Sequence, residues 1–431
     1  MKKQEVAVFW FRRDLRLEDN VGLFFALESK YPVIPLFIFD QAIVDSLPKN
    51  DARVGFIHDS LAAINIKLQE IGSSLLVKKG KTLEVWQQLV QEFEVKGVFF
   101  NKDYEPYAIK RDLAICELLA SHAIQSFSYK DQVIFEEKEI TKADGLPYTV
   151  YTPFKNKWLE KYKTMAPVRE YDTAVHFSNF LPSNFSFPTL EQIGFEESAI
   201  KVIPHNLKMV AKYEENRDFP ALDSTTHLSP HLRFGTVSIR KLVNWAANKN
   251  QVFLSELIWR EFFMQILFSF PKVVNNNFKS AYDGIQWRND PEDFKRWCSG
   301  TTGYPMVDAG MRELNETGFM HNRVRMVVAS FLCKHLLINW QWGEAYFAEK
   351  LLDFELSSNV GNWQWAAGTG CDAAPYFRVF NPEIQLQKFD AKGIYIRKWI
   401  PEFDLGYGKP MVEHAFARDR AIATYKEGIL K

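Results

Sequence analysis

The stretch VAVFWFRRDLRLEDN, residues 6–20, decides the fold of the first part of the chain. Six apolar residues, Val6 to Phe11, run without interruption into Arg12, Arg13 and Asp14. A strand buried on both faces reads as such a run, whereas a strand with one wet face alternates. Comparable runs occur at Val33–Phe39, Leu75–Val77 and Val98–Phe100, separated by amphipathic stretches such as Ala52–Ile71 and Thr82–Glu94. Strand and helix in alternation predict a parallel sheet covered by helices. The charged text WFRRDLRLEDN stands where a GxGxxG fingerprint would follow the first strand, so no nucleotide-binding role for this half follows from motif.

Working outward, the sequence of 431 residues is longer than one hydrophobic core usually supports, which predicts two compact units. The α/β part is expected over residues 1–128. From 129 to 195, Pro147, Pro153, Pro167, Pro182 and Pro188 interrupt mixed polar and aromatic text, which reads as an ordered inter-domain connection. Residues 196–431 then read as helical, with candidate helices at Glu256–Phe270, Pro291–Cys298, Val307–Thr317, Asn322–Leu337 and Trp342–Leu352.

The composition, 47% hydrophobic and 25% charged, is that of an ordinary globular protein. No apolar run reaches the ~20 residues a membrane helix needs. The start MKKQEVAVFWFRRD has no signal-peptide core, so a cytoplasmic protein is expected. Cys116, Cys298, Cys333 and Cys371 lack disulfide or zinc-site spacing, and no metal is expected. The chain carries 24 basic and 28 acidic residues up to residue 200, and 29 and 25 after it. That asymmetry permits phosphate contact in the second half but is equally that of a solvated surface. Nine of the twelve tryptophans follow residue 200, a pointer to stacking or electron transfer that core filling would also explain.

Four segments carry candidate chemistry. TTHLSPHLRFG (Thr225–Gly235) places Ser229 and Pro230 as an N-cap and first helical residue, where free amides and the Thr225 and Thr226 hydroxyls would suit a pyrophosphate; plain capping fits the same text. In SELIWREFFMQIL, Glu256, Trp259 and Arg260 share one helix face, as a cleft lining or as an ion pair beside a core tryptophan. MHNRVRMVVASFLCKHLLINW sets Asn322, Arg323, Arg325 and Met326 ahead of an apolar stripe, a polar turn that needs acidic side chains such as Asp353 or a ligand. LLDFELSSNVGNWQWAAGTGCDAAPYFRVFNP joins acids and Asn359 to Trp365 and to small residues that would let a flat ring approach; a buried turn would use them too.

Taken together and in this order, these segments resemble the photolyase/cryptochrome family, most closely the class I cyclobutane-dimer photolyases, over nearly the whole chain. WFRRDLRLEDN resembles the family's N-terminal signature and RDFPALDSTTHLSPHLRFG its FAD-phosphate region. ELIWREFF, TGYPMVDAGMRELNETGFMHNRVRM and NWQWAAGTGCDAAPYFRVFNP are its most specific blocks.

The resemblance implies a Rossmann-like α/β N-terminal domain, an all-α C-terminal domain holding flavin adenine dinucleotide (FAD), and light-driven repair of DNA containing pyrimidine dimers. It implies that Tyr213, Thr225, Thr226, His227, Leu228, Ser229, Arg260, Arg325, Asp353, Glu355 and Asn359 contact or frame FAD, with Asn359 near the flavin N5. Glu256, Trp259, Asn322, Arg323, Met326 and Trp365 would line the lesion pocket, Glu256 and Asn322 also bordering the cofactor. Trp363, Trp340 and Trp287 match the family's electron-carrying tryptophan chain.

Within the family, tryptophan at both 259 and 365, and Met326 where (6-4) photolyases carry a second histidine, favour the cyclobutane-dimer class. A blue-light photoreceptor that binds FAD without repair is the alternative. His335 stands where the family commonly has Asp, and Phe253 where it often has Trp. The Asn-Glu pair that holds a folate antenna in some members falls at Tyr107 and Ala108, which leaves folate, a deazaflavin, another flavin or no antenna open. A monomer without membrane attachment is expected.

Overall fold

A computed structural model of the chain describes residues 3–429. It divides into two compact units that are discontinuous in sequence. The first takes the chain up to Glu139, Leu159–Pro204 and Leu228–Asn248; the second takes Ile140–Trp158, His205–His227 and the chain from Lys249. The stretch 129–195, expected as a connection, is therefore shared out between the units, and the unit borders differ from 1–128 and 196–431. Among the described residues no helix is long and apolar enough to cross a membrane.

The first unit is built on five parallel strands, β1 (Glu5–Phe11), β2 (Val33–Asp40), β3 (Leu76–Gly80), β4 (Glu94–Asn101) and β5 (Gln125–Tyr129), in the order β3-β2-β1-β4-β5. Successive side chains of a strand point to opposite faces, and here each face has its own core. Ala7, Phe9 and Phe11 enter one, with Phe37 and Phe99. Val6, Val8 and Trp10 enter the other, with Ile34, Leu36 and Val98. Burial on both faces explains the uninterrupted apolar text of β1.

Strand order reverses between β1 and β4, so Arg12, Asp14 and Asn101 gather at their C-terminal ends. Tyr107, at the position of the folate-type pair, donates its phenol to Asp40 at 2.6 Å. A buried charge network fixes the Leu228–Asn248 segment to this unit. Asp131 accepts from Arg16 at 2.8 and 2.9 Å and from Arg240 at 2.8 Å, and Arg240 also reaches Asp19 at 3.1 Å.

The second unit is helical. Its core gathers Trp297, Met311, Leu314, Val328, Phe331, Leu332, Trp340 and Trp363. The five expected helices are present as Gln251–Ser269, Pro291–Ser299, Pro305–Thr317, Asn322–Ser330 and Trp340–Lys350, followed by Leu356–Ala367. The expected helix to Leu337 stops being α at Ser330 and continues as one π turn, Phe331–His335. That turn packs His335 against Phe331, with Nε2 2.9 Å from His414 Nδ1, so the residue replacing the family's usual Asp is buried in a histidine pair.

Two glycines set how closely the site helices approach. A Cβ on Gly361 would lie 2.2 Å from Phe263, and one on Gly343 would lie 2.1 Å from Trp363. Helix Leu356–Ala367 is thereby seated between Gln251–Ser269 on one side and Trp340–Lys350 on the other. Phe263 is one turn beyond Trp259 and Gly361 one turn before Trp365, so the first crossing places the helices that carry both indoles side by side.

Candidate active site

Helix Gln251–Ser269 begins where Asn250 accepts from the Phe253 N–H at 2.9 Å. Leu254, Leu257, Ile258, Phe262 and Phe263 are buried, whereas Glu256, Trp259 and Arg260 remain partly accessible. Glu256 accepts from Arg217 Nη1 at 2.6 Å. Trp259 is stacked on Tyr151, with ring centroids 3.6 Å apart and planes within 10°. Phe253 meets Tyr213 edge-on at 5.3 Å, and burial pushes the Tyr213 phenol well above its usual pKa.

Helix Asn322–Ser330 is capped by His321, whose Nδ1 accepts from the Arg323 N–H at 3.2 Å. Burial and then the Arg325 charge push the His321 imidazole down to about 4. Asn322 is exposed at the helix start. Arg323 pairs with Asp218 at 2.6 Å and passes 3.7 Å from the Met326 sulfur. Arg325 pairs with Asp353 at 2.9 Å and donates to the Met320 carbonyl at 2.7 Å. The acidic partner anticipated for this polar turn is therefore present.

Glu355 caps helix Leu356–Ala367, accepting from the Ser357 hydroxyl at 2.7 Å and from the Ser358 N–H at 3.2 Å. Four residues on, Asn359 donates its amide to the Glu344 carbonyl at 3.0 Å and to the Glu344 carboxylate at 2.8 Å. Both partners accept, which fixes the amide nitrogen toward Glu344 and turns Oδ1 the other way. Burial raises the Glu344 carboxyl. Trp365, on the same helix, is half-buried at the edge of the core.

The threonine segment differs from its expected form. The helix runs Leu228–Phe234, so Ser229 is its second residue and not its cap. His227 immediately before it has φ +51°, a left-handed turn, and the helix starts two residues earlier than expected. Pro230 still lies in the first turn, where its missing N–H costs nothing. Leu228 and Ser229 fall in the first unit, and Thr225, Thr226 and His227 in the second. His227 Nε2 lies 3.2 Å from Asp223, and the Thr226 carbonyl accepts from Asn206 at 2.9 Å. The Thr225 hydroxyl is buried with no hydrogen-bond partner among the described residues. A buried donor left unsatisfied costs roughly 1–3 kcal/mol, so this one calls for an acceptor from outside the chain, such as a phosphate oxygen. On that observation the segment fits FAD.

The three tryptophans differ in exposure. Trp363 and Trp340 are each 2% exposed, and Trp287 is partly exposed. Trp363 lies against Gly343, one turn from Trp340 on the same helix. Trp340 donates its indole N–H to Asn277 at 2.9 Å, and Trp287 meets Tyr425 edge-on at 5.7 Å.

Arg217, Asp218, Tyr151 and Glu344 were not singled out in the sequence. Arg217 and Asp218 stand in the quoted text RDFPALDSTTH, and their adjacency, one cation and one anion, was the only local signal.

Comparison with known proteins identifies the family. Residues 7–172 match the family described as DNA photolyase, and residues 253–405 the family described as FAD binding domain of DNA photolyase. A deoxyribodipyrimidine photo-lyase of Agrobacterium fabrum is 36% identical over 475 aligned positions, covering 98% of both chains. The crystal structure of a bacterial class III photolyase from Agrobacterium tumefaciens superposes with a TM-score of 0.89 at 33% identity, covering 100% of this chain and 99% of that one. An archaeal photolyase from Sulfolobus tokodaii, solved with two FAD molecules, superposes with a TM-score of 0.85 at 32% identity, covering 98% and 100%. A parallel α/β unit followed by a helical flavin unit with this spacing defines a class of light-dependent DNA-repair flavoproteins and their relatives. The chain belongs to the DNA photolyase family. It is an enzyme of that family whose cofactor is FAD.

Proposed function

We propose that the enzyme splits cyclobutane pyrimidine dimers in DNA under blue light. The observation that carries the reading is the pair Trp259 and Trp365, borne by two helices packed through Phe263 and Gly361, with the Glu256 carboxylate one turn from Trp259. A cyclobutane dimer offers two linked, poorly stacked pyrimidines, and two indoles one turn from a helix crossing suit them.

FAD, when bound in its reduced form and excited, supplies the electron that opens the cyclobutane ring and takes it back. The chain's own residues bind and orient. Thr225 and Thr226, with His227, would hold the phosphates. Tyr213, Arg260, the Arg325–Asp353 pair and Glu355 would frame the rest of the cofactor. Asn359, its amide nitrogen held by Glu344, would offer its oxygen as an acceptor to the flavin. Glu256 would hydrogen-bond the dimer in its charge-bearing form, where such a contact counts most. Asn322, Arg323 and Met326 would line the same pocket. Trp363, Trp340 and Trp287 lead electrons inward to keep the cofactor competent.

The test is a paired assay of the purified, reduced protein on one oligonucleotide with a cyclobutane dimer and another with a (6-4) lesion. Restored pyrimidines from the first, in light and not in the dark, support the proposal. Repair of the (6-4) lesion alone would reassign the substrate. Intact lesions in both, with the flavin still photoreduced, would favour a photoreceptor.

A further inference from the structure

We propose that Tyr151 is a positioning residue that brackets both indole walls of the lesion pocket. The proposal rests on reading Trp259 and Trp365 as those walls. Tyr151 is 6% exposed and opens a helix, Tyr151–Met165, in which no pocket residue had been placed. Its ring lies on the Trp259 indole at 3.6 Å, nearly parallel. Its phenol donates to the Ser255 carbonyl at 2.7 Å, one turn before Trp259 on the same helix. Burial raises the phenol's pKa, which keeps the hydroxyl a donor. Phe262 meets the Tyr151 ring edge-on at 5.8 Å and holds it from the side.

The main chain of the same residue reaches the other wall. The Tyr151 N–H donates to Asp372 Oδ2 at 3.1 Å. Asp372 has φ +44° and ends a loop folded back on the helix of Trp365: Gly368 N–H bonds the Trp365 carbonyl at 3.1 Å, and Thr369 and Gly370 bond the Gln364 carbonyl at 3.0 and 3.1 Å. Ring and amide of one residue thus fasten to the helix that carries Trp259 and to the loop that follows the helix of Trp365. The stack also covers one face of Trp259 with protein, so a pyrimidine can use only the opposite face or the edge. Tyr151 therefore selects a one-sided arrangement that a flipped dimer can enter and a second stacked base cannot.

The experiment uses the full-length, FAD-loaded protein and its Tyr151→Ala and Tyr151→Phe variants. Affinity is measured for a dimer-bearing oligonucleotide and its undamaged counterpart, and repair yield at saturation. Aromatic pairing of this kind supports a loss of up to about tenfold in dimer affinity for Tyr151→Ala, with undamaged DNA and saturated yield unchanged. Tyr151→Phe keeps the stack and should fall within about twofold of the parent. A 5-fluorotryptophan resonance at position 259 reports the indole without DNA; it should move in Tyr151→Ala and stay in Tyr151→Phe. If Tyr151→Ala does not fold, Tyr151→Leu fills the space without a flat face and takes its place. Parent-like dimer affinity in the truncated variant, equal loss on both DNAs, or failure of Tyr151→Phe to rescue would overturn the proposal. A parent protein with no preference for dimer DNA would instead retire the wall reading of Trp259 and Trp365, while the fluorine signal would still report whether Tyr151 positions the indole.

Discussion

Arg217 donates from Nη1 to Glu256 Oε1 at 2.6 Å, and its chain neighbour Asp218 accepts from Arg323 at 2.6 Å. Two consecutive residues of opposite charge thus tie the first half of helix Gln251–Ser269 to the start of Asn322–Ser330. Both pairs are partly open to solvent, so each adds little stability; their effect is orientation. Glu256→Ala should lower the repair yield of bound dimer roughly tenfold, the scale of a hydrogen bond to a charged group. FAD absorbance should be unaffected, and an unchanged yield would remove Glu256 from the chemistry.

Of the three tryptophans proposed as the electron route, Trp363 and Trp340 are buried and Trp287 alone is partly exposed, which suits it to the outer end. For Trp287→Phe, photoreduction of oxidised flavin should be strongly slowed, while repair after chemical reduction stays near the parent level. Unimpaired photoreduction, followed by flavin absorbance during illumination, would exclude this route.

Gly343 has no room for a side chain, since a Cβ there would sit 2.1 Å from the Trp363 ring. Gly343→Ala should cost about 1–3 kcal/mol through overpacking and slow photoreduction together with it. Thermal unfolding read by tryptophan fluorescence checks the first effect, and a variant as stable as the parent would show that the two helices can separate freely.

Glu313 is buried beneath the Asn322–Ser330 helix, accepting from the Tyr395 phenol at 2.6 Å and from the His321 N–H at 3.4 Å. Burial pushes its carboxyl up to about 7 from 4.5. The folded state therefore holds a proton that the unfolded chain gives up, and the associated stability is present below about 4.5 and lost as pH rises through about 7. His321, whose folded value is depressed, runs the other way, losing stability as pH falls toward about 4. Comparing Glu313→Gln with the parent isolates the glutamate. The variant should gain on the order of 1–3 kcal/mol above pH 7 and nothing near pH 4.5. A gain independent of pH would contradict the assignment.

In the first unit, Arg240 serves two buried carboxylates, Asp19 and Asp131. Arg240→Ala leaves Asp19 without a cation and Asp131 with Arg16 alone, and removing one partner of a buried pair costs about 3–5 kcal/mol. Urea unfolding of the variant should show a loss of that size, and a loss under about 1 kcal/mol would mean that water replaces the guanidinium.

How far the sequence discloses all this varies with the range of the contacts involved. β1, β2 and β4 are plain in the text because both faces are buried. β5, QSFSY, was missed because an edge strand pairs on one side only and keeps half of its residues polar. The Trp340–Lys350 helix starts earlier than its apolar pattern because Asn339 caps it at 3.1 Å, a signal present in LLINW and passed over. The lesion-pocket residues came from motif blocks, whereas their supports came only from the fold. Tyr151 stacks on a residue 108 positions away, and Asn359 is oriented by Glu344, fifteen positions earlier on another helix. Such pairings are set by helix crossings, and a linear pattern does not encode them. The helix that Ser-Pro chemistry alone placed behind a Ser229 cap, starting at Pro230, likewise begins at Leu228, next to the left-handed His227.

The central claim is that the indoles of helices Gln251–Ser269 and Leu356–Ala367 read the lesion. It is met most directly by the ratio of affinities for dimer-bearing and undamaged oligonucleotides of one sequence, taken for the parent and for a Trp259→Ala, Trp365→Ala double variant that keeps its flavin absorbance. The ratio should stand well above one in the parent and collapse to near one in the variant. A double variant that still discriminates like the parent would contradict the account.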